Sequence, residues 1–294
     1  MADRKEDAKA QSASADVAGE LDRSQFENNR ITQREIEDIE ERSSPRTPVI
    51  YEIVRRLGEE EMARPATSLW WSGVAAGLSI SFSPVAQAIL RARLPDESWR
   101  PLVGSLGYSV GFLMVVMSRQ QLFTENTVTV VLPVMADFNL RNLARMGRLW
   151  AIVFCANFVG TLIAALFWYH TLALAPELKT ELMELSRHVI DGGIVAMFAK
   201  GIAAGFLIAA MVWLIPSADA AQFHVITLMT YLIAAAGFAH IVAGSVEAFL
   251  LVIGGQVGLP DMLGSFVVPV LIGNIVGGTA LFALISYAQV MKEI

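Results

Sequence analysis

The sequence predicts an all-α integral membrane protein, with six transmembrane helices arranged as an inverted 3+3 repeat in which two helices are broken. Three observations carry this. Apolar residues make up 54% of the 294-residue chain and charged residues 17%, against roughly 25% charged in soluble domains. The first 47 residues hold 20 of the 50 charged residues, so the remainder is poorer still in charge. Two apolar spans are interrupted at corresponding places, by Leu122-Phe123-Thr124-Glu125-Asn126-Thr127 and by Ala236-Gly237-Phe238-Ala239-His240. Broken spans in matching halves are the sequence mark of a substrate site near the bilayer midplane.

The elements follow in order. Residues 1–47 are polar, mixed in charge and nearly free of aromatics. Such a segment buries too little apolar surface to fold alone and reads as a disordered cytoplasmic tail, or as a partner-binding arm. Ile31, Ile36 and Ile39 hint at a weak helix near its end. Residues 48–64 form an amphipathic interfacial helix that starts at Pro48. Val49, Ile50, Ile53, Val54 and Leu57 make one face, and Glu52, Arg55, Arg56, Glu59 and Glu60 the other. It lies on the membrane or caps the cytoplasmic side.

The transport domain covers 65–290. A full crossing needs roughly 20 apolar residues. The spans fall at about 66–90, 101–136 with its break at 122–127, 143–170, 192–216, 221–253 with its break at 236–240, and 265–289. A polar, acidic connection near 175–191 separates the halves. Span 1 carries Ala75-Ala76-Gly77-Leu78-Ser79-Ile80 and span 4 Ala203-Ala204-Gly205-Phe206-Leu207-Ile208. Span 3 carries Asn157-Phe158-Val159-Gly160 and span 6 Asn274-Ile275-Val276-Gly277. Three spans per half is an odd number, so the second copy enters from the opposite side. Arg55, Arg56, Arg64, Arg141, Arg145, Arg148 and Lys292 fall on one side, against Arg91, Arg93, Arg100, Lys179 and Arg187 on the other. The positive-inside rule then puts both termini in the cytoplasm.

Several functions are excluded. The net charge of −6 and the absence of a basic stripe give no case for nucleic acid. Cys155 is the only cysteine, so no intrachain disulfide and no cysteine-based metal site is expected. No short basic region precedes an apolar run at the N-terminus, so no cleavable signal peptide is expected. No nucleophile–base pairing, metal motif or phosphate-binding glycine loop points to an enzyme or a cofactor.

An ionisable residue at a break inside a span is a functional candidate, because charge there is expensive. His240 is the foremost. It reads either as a titratable pore group or as a histidine satisfied by backbone at a helix break. No histidine or carboxylate stands at i+4 from it, so metal ligation is not expected. Arg119 is expected to pair with Glu125 or Glu247 and hold the loops, since buried charges need partners. Lys200 either snorkels to the interface or lends positive charge to a vestibule. Asn157 and Asn274, each near a glycine, read as helix-packing residues.

Leu122-Phe123-Thr124, Gly237-Phe238-Ala239-His240 and Pro269-Val270-Leu271-Ile272-Gly273-Asn274-Ile275-Val276-Gly277-Gly278 resemble the formate/nitrite transporter family over roughly residues 50–290. The longer string Arg119-Gln120-Gln121-Leu122-Phe123-Thr124-Glu125-Asn126-Thr127 is similar to a branch of uncharacterised bacterial inner-membrane members. The resemblance implies an aquaporin-like protomer, a homopentamer with one pore per protomer, and passage of small monovalent anions such as formate or nitrite. It implies that His240 is the family's central pore histidine and that Thr124 is its polar threonine on the first broken loop. It maps hydrophobic constrictions onto Leu122 and Phe123, and onto Tyr108, Phe112 and Ile233. The chain departs from the family pattern at Gly205, where members often carry asparagine, and at His188 and Val189, where a vestibule lysine is absent.

The expected chemistry is proton-assisted. An anion drawn to Thr124 and His240 is transiently protonated and crosses the constrictions as a neutral weak acid, helped by half-helix N-termini. Two alternatives stand beside it: a neutral small-solute channel in which His240 only donates a hydrogen bond, and a non-conducting membrane scaffold or sensor.

Overall fold

The computed structural model describes residues 45–293 together with Thr32, Arg34 and Glu35. The weak helix expected through Ile31, Ile36 and Ile39 lies outside the described residues, as does nearly all of the expected tail. Glu35 accepts hydrogen bonds from the Thr32 backbone N–H at 2.7 Å and from its hydroxyl at 2.8 Å, the pattern of a capping box.

The body, Pro45–Ile294, is built of helices and their connections, with no strand among its described residues. Helix α1 covers Thr47–Ala63. It is followed by α2 (Ala66–Arg93), α3 (Arg100–Met117), α4 (Asn126–Ala136) and α5 (Leu140–His170). Next come α6 (Pro176–Arg187), α7 (Gly193–Ser217) and α8 (Gln222–Ala235), then α9 (Ile241–Ile253) and α10 (Leu259–Val290). Five of these, α2, α3, α5, α7 and α10, are long and apolar enough to cross a membrane. Helix α7 has 25 residues, a length of about 37 Å against a hydrocarbon core of about 30 Å.

Helix α1 is amphipathic, but its buried face is Tyr51, Val54, Gly58 and Met62. Val49, Ile53 and Leu57, expected on the apolar face, are exposed. Gly58 sets this rotation: it lies so close to the Thr129 backbone that a Cβ there would overlap the carbonyl. On its outer side Glu52 accepts hydrogen bonds from Arg55 and Arg56. These bonds hold the Glu52 carboxyl down at about 2.

The expected acidic connection near 175–191 is largely a helix, α6. Pro176 stands in its first turn, and Leu182 and Leu185 are buried. Helix α10 contains two π-helical turns, Leu263–Val267 and Val276–Ala283. In the second, the Thr279 hydroxyl donates to Thr127 O at 2.6 Å.

Small residues bring the long helices together in two pairs. A Cβ on Gly77 of α2 would overlap Asn157 O of α5, and one on Gly160 would overlap Val74 O. A Cβ on Gly205 of α7 would overlap Asn274 O of α10, and one on Gly277 would overlap Ile202 O. Close backbone approach through small residues is how helices associate where no hydrophobic effect separates them from lipid. Replacing Gly205 by alanine therefore overpacks the contact and should destabilise the protein by about 1–3 kcal/mol. Gly147 of α5 has open space where its Cβ would be, so Gly147→Ala should be neutral or stabilise by about 0.5–1 kcal/mol. Thermal unfolding of the two variants in detergent checks the contrast.

Candidate functional site: two broken loops around His240

Helical geometry is broken between α3 and α4 and between α8 and α9, and both exits have the same construction. Helix α3 ends at Arg119, whose φ is 53°. Arg119 N–H donates to Val116 O and Gln120 N–H to Val115 O, each at 3.0 Å. Helix α8 ends at Gly237, with φ 64°. Gly237 N–H donates to Ala234 O at 3.1 Å and Phe238 N–H to Ile233 O at 2.9 Å. Both are Schellman turns with one residue in the left-handed region. Glycine adopts that region freely, and arginine does so at a cost of about 1 kcal/mol. The first break therefore runs over residues 118–125 rather than 122–127: Asn126 and Thr127 are already in α4.

Beyond each turn an asparagine takes over. Asn157 Oδ1 accepts from Phe123 N–H at 2.9 Å, and its Nδ2 donates to Gly73 O and Gln121 O, both at 2.8 Å. Asn274 Oδ1 accepts from Ile241 N–H at 2.8 Å, and its Nδ2 donates to Gly201 O at 2.8 Å and Ala239 O at 2.9 Å. Each side chain thus uses every polar group it has on the backbone of a broken loop and a neighbouring helix. Gly205, packed on Asn274, leaves room for this.

The ion pair expected of Arg119 with Glu125 or Glu247 is not formed. Among the described residues the ion pairs within 4 Å involve none of the three. Two causes are visible. Arg119 and Glu125 line one cavity and Glu247 another, and the amide side chains of Asn157 and Asn274 hold the loops instead of charge.

The asparagines straddle the two central residues, Leu122 and His240. His240 is the N-cap of α9, and its Nδ1 accepts from Ala243 N–H at 3.1 Å. A neutral imidazole whose Nδ1 accepts carries its proton on Nε2. Nε2 lies 2.7 Å from Thr124 Oγ1, so Nε2–H donates and the threonine oxygen accepts. Thr124 and His240, 116 residues apart, are thereby joined across the two loops. Phe112 stands edge-on to the His240 ring at 5.0 Å, and Tyr108 lies 5.1 Å from Phe112. Leu122, Phe112 and Ile233 are fully buried. The Phe123 ring packs on Trp150 and Phe154 of α5.

A cavity lies on each side of this plug. One, of about 120 Å³, is lined by His240, Tyr108, Lys200, His188, Gln87 and Glu247, among others. Lys200 Nζ donates to Asp191 O at 3.3 Å. The other, of about 270 Å³, lies among Glu60, Glu61, Arg119, Gln120, Gln121 and Glu125, and reaches Val212 and Pro216. Lys200 and Val212 are about 18 Å apart along α7, so the two cavities open at opposite ends of that helix. Gln87 was not singled out by the sequence reading. Its signal was available, since a lone amide inside an apolar span is a functional candidate by default.

Long apolar helices, two interrupted helices that meet at a histidine, and a cavity on either side of it define a polytopic membrane protein with a buried polar centre. The comparisons agree with that class. The Formate/nitrite transporter family profile matches residues 48–288. Inner membrane protein YfdC of Escherichia coli (strain K12) is 43% identical over 260 residues, covering 88% of this chain and 84% of its own length. Formate channel FocA of Haemophilus influenzae is 30% identical over 244 residues, covering 73% and 84%. Among solved structures, a pentameric formate channel with formate bound superposes with a TM-score of 0.65 at 21% identity, covering 77% of this chain and 98% of its own. An FNT family ion channel gives 0.69 at 21% identity, covering 83% and 98%. The chain belongs to the formate/nitrite transporter family, a family of transporters and channels rather than enzymes.

Asn274→Ala removes the partners of Ile241 N–H, Ala239 O and Gly201 O at once. It should lower stability by about 2 kcal/mol or more, at about 1–3 kcal/mol for each of Ile241 N–H and Ala239 O left unsatisfied, since Gly201 O lies within α7 and keeps its helical partner. Asn157→Ala should do the same. Thermal unfolding in detergent measures both, and a change below about 1 kcal/mol in either would show that the amides do not hold the loops.

Proposed function

We propose that this protein is a transmembrane channel or transporter for small monovalent anions of the formate and nitrite kind, with proton assistance from His240. The observation that carries the reading is the 2.7 Å hydrogen bond between His240 Nε2 and Thr124 Oγ1, set where two broken loops meet and cavities approach from both sides. Because Thr124 accepts from the histidine, its own O–H is free to donate to an anion arriving at the plug. The histidine Nε2–H is the next proton along the same line. A neutral ring has no proton to spare, so transfer needs a proton from water to reach the ring first. The imidazolium then passes its Nε2 proton through Thr124 Oγ1 to the anion and returns to a neutral imidazole. The anion thereby loses the charge that makes the apolar layer of Leu122, Phe112 and Ile233 impassable.

The proposal extends to architecture. The matched Schellman turns, the matched asparagines and the paired glycine contacts support an inverted 3+3 repeat of aquaporin-like shape. In that arrangement α3 with α4, and α8 with α9, each make one crossing between them. Both cavities would be vestibules, one on each face of the membrane. The relative named as an inner membrane protein supports placement in the bacterial inner membrane, and the arginine distribution supports cytoplasmic termini. The neighbour described as a pentameric formate channel supports a homopentamer.

His240→Asn is the decisive variant. Asparagine is a strong N-cap, so its side-chain oxygen can accept from Ala243 N–H and keep α9 capped, while the titratable group is lost. Formate and nitrite fluxes in proteoliposomes at about pH 5 and about pH 7.5, on either side of the ordinary histidine range near 6.5, read the effect. The expected result is unchanged oligomer assembly, with the pH dependence of flux altered by about tenfold or more. Equal pH profiles for variant and wild type would sink the proton-assisted route.

A further inference from the structure

The cavity beside His240 holds three polar side chains that neither the plug nor the loop clamps use. Gln87 of α2 is 7% exposed, Tyr108 of α3 is 6% exposed, and Glu247 of α9 is 8% exposed. All three line the cavity. The Gln87 amide, the Tyr108 hydroxyl and the Glu247 carboxyl have no hydrogen-bond or ion-pair partner among the described residues. Buried polar groups without partners are rare, because each lost hydrogen bond is expensive in an apolar setting. These polar atoms are not sealed in packed protein but open onto the cavity, where water or a small solute is the partner available to them. The cavity, about 120 Å³, has room for several waters or a triatomic oxyanion.

The donor inventory selects the occupant. Tyr108 offers one O–H and Gln87 two N–H groups. Glu247 decides the sign. As a carboxylate it only accepts, and it opposes an anion. As a carboxyl it adds a third donor. The other titratable or charged groups that share the cavity are His188, Lys200 and His240. Lys200 is turned to Asp191 O, and His240 has its Nδ1 on Ala243 and its Nε2 on Thr124. His188 Nδ1 is 3.3 Å from Asp191 Oδ2. None of them sits within 4 Å of Glu247 as a counter-charge.

We infer that Gln87, Tyr108 and Glu247 form a receiving site for a small oxyanion, one step outside His240, in which the anion binds together with a proton carried on Glu247. The inference rests on the anion-transport reading and deepens it. Anion and proton are linked ligands: each raises the affinity for the other, and binding of the anion is lost as the Glu247 proton is lost. The site lies one aromatic layer from the plug, because Tyr108 packs on Phe112 and Phe112 on His240.

The test is the concentration dependence of labelled formate uptake into proteoliposomes at about pH 5.5 and about pH 7.5, with the full-length wild type, Tyr108→Phe and Glu247→Gln. Wild type should show a half-saturating concentration about fivefold or more higher at the upper pH. Glu247→Gln, with an amide donor that does not titrate, should hold nearly the same value at both. Tyr108→Phe, which removes only a hydroxyl, should raise half-saturation about five- to tenfold at the lower pH, the equivalent of one hydrogen bond. Its saturating rate should stay within about twofold. Glu247→Gln that follows the wild-type pH profile, or Tyr108→Phe that leaves half-saturation unchanged, overturns the site while leaving anion transport standing. Where Glu247→Gln does not assemble, the Tyr108→Phe result decides. Intact wild type that passes neither formate nor nitrite at either pH overturns the transport reading, and this site with it.

Discussion

Two buried amides set what the rest of this structure can be. A helix broken inside a hydrocarbon layer leaves backbone donors and acceptors with no water to satisfy them, and such backbone is tolerated only where protein supplies partners. Asn157 and Asn274 supply them, each with its oxygen on one loop N–H and its nitrogen on two carbonyls. The amide is the shortest side chain that can do both at once. Reaching across requires the paired helices to touch, and this is why glycine stands at the α2–α5 and α7–α10 contacts. The clamp, the close helix pairs and the broken loops are one construction, and none of them is stable without the others.

This construction also places the chemistry. Asn157 bonds the residues on either side of Leu122, and Asn274 those on either side of His240. The central side chains are therefore fixed from their flanks and remain free to face the path. For His240 the second constraint is the cap of α9. With Nδ1 on Ala243 N–H, only Nε2 faces Thr124, so the ring contacts the first broken loop through that nitrogen alone. Orientation of a histidine by the bond its other nitrogen makes is the common way to assign its role.

The five long apolar helices were legible because apolar length is a strong signal, and the second break because Gly237 stands at its turn. The first break was placed late because an arginine does there what glycine does at the second, and residue type alone does not announce a left-handed Arg119. Helix α6 was read as a connection although Pro176 and the Leu178, Leu182 and Leu185 spacing carry a helical period; its charged outer face masked that period. The missing ion pair has a more general cause. Sequence separation shows that Arg119 and Glu247 are both near breaks, but not that the two breaks open to different cavities. That Thr124 bonds His240 was likewise not readable, since it depends on how two loops 116 residues apart are brought together.

The two breaks share a backbone plan and diverge in charge, and the divergence has a measurable cost. At the matched turn one half has Gly237 and the other Arg119, which occupies a conformation costing a non-glycine residue about 1 kcal/mol. Glycine would relieve that strain, so packing does not account for the arginine. Its side chain lines the cavity that Glu60, Glu61 and Glu125 also line, and it is the only basic residue among the described lining of that cavity. One Glu125 oxygen there is buried without a hydrogen-bond partner. The opposite cavity is more nearly balanced, with Lys200 against Glu247. An acidic cavity at one end of α7 and a more nearly balanced one at the other would present unequal electrostatic fields to an ion approaching either cavity. The strained arginine limits that inequality at the acidic end.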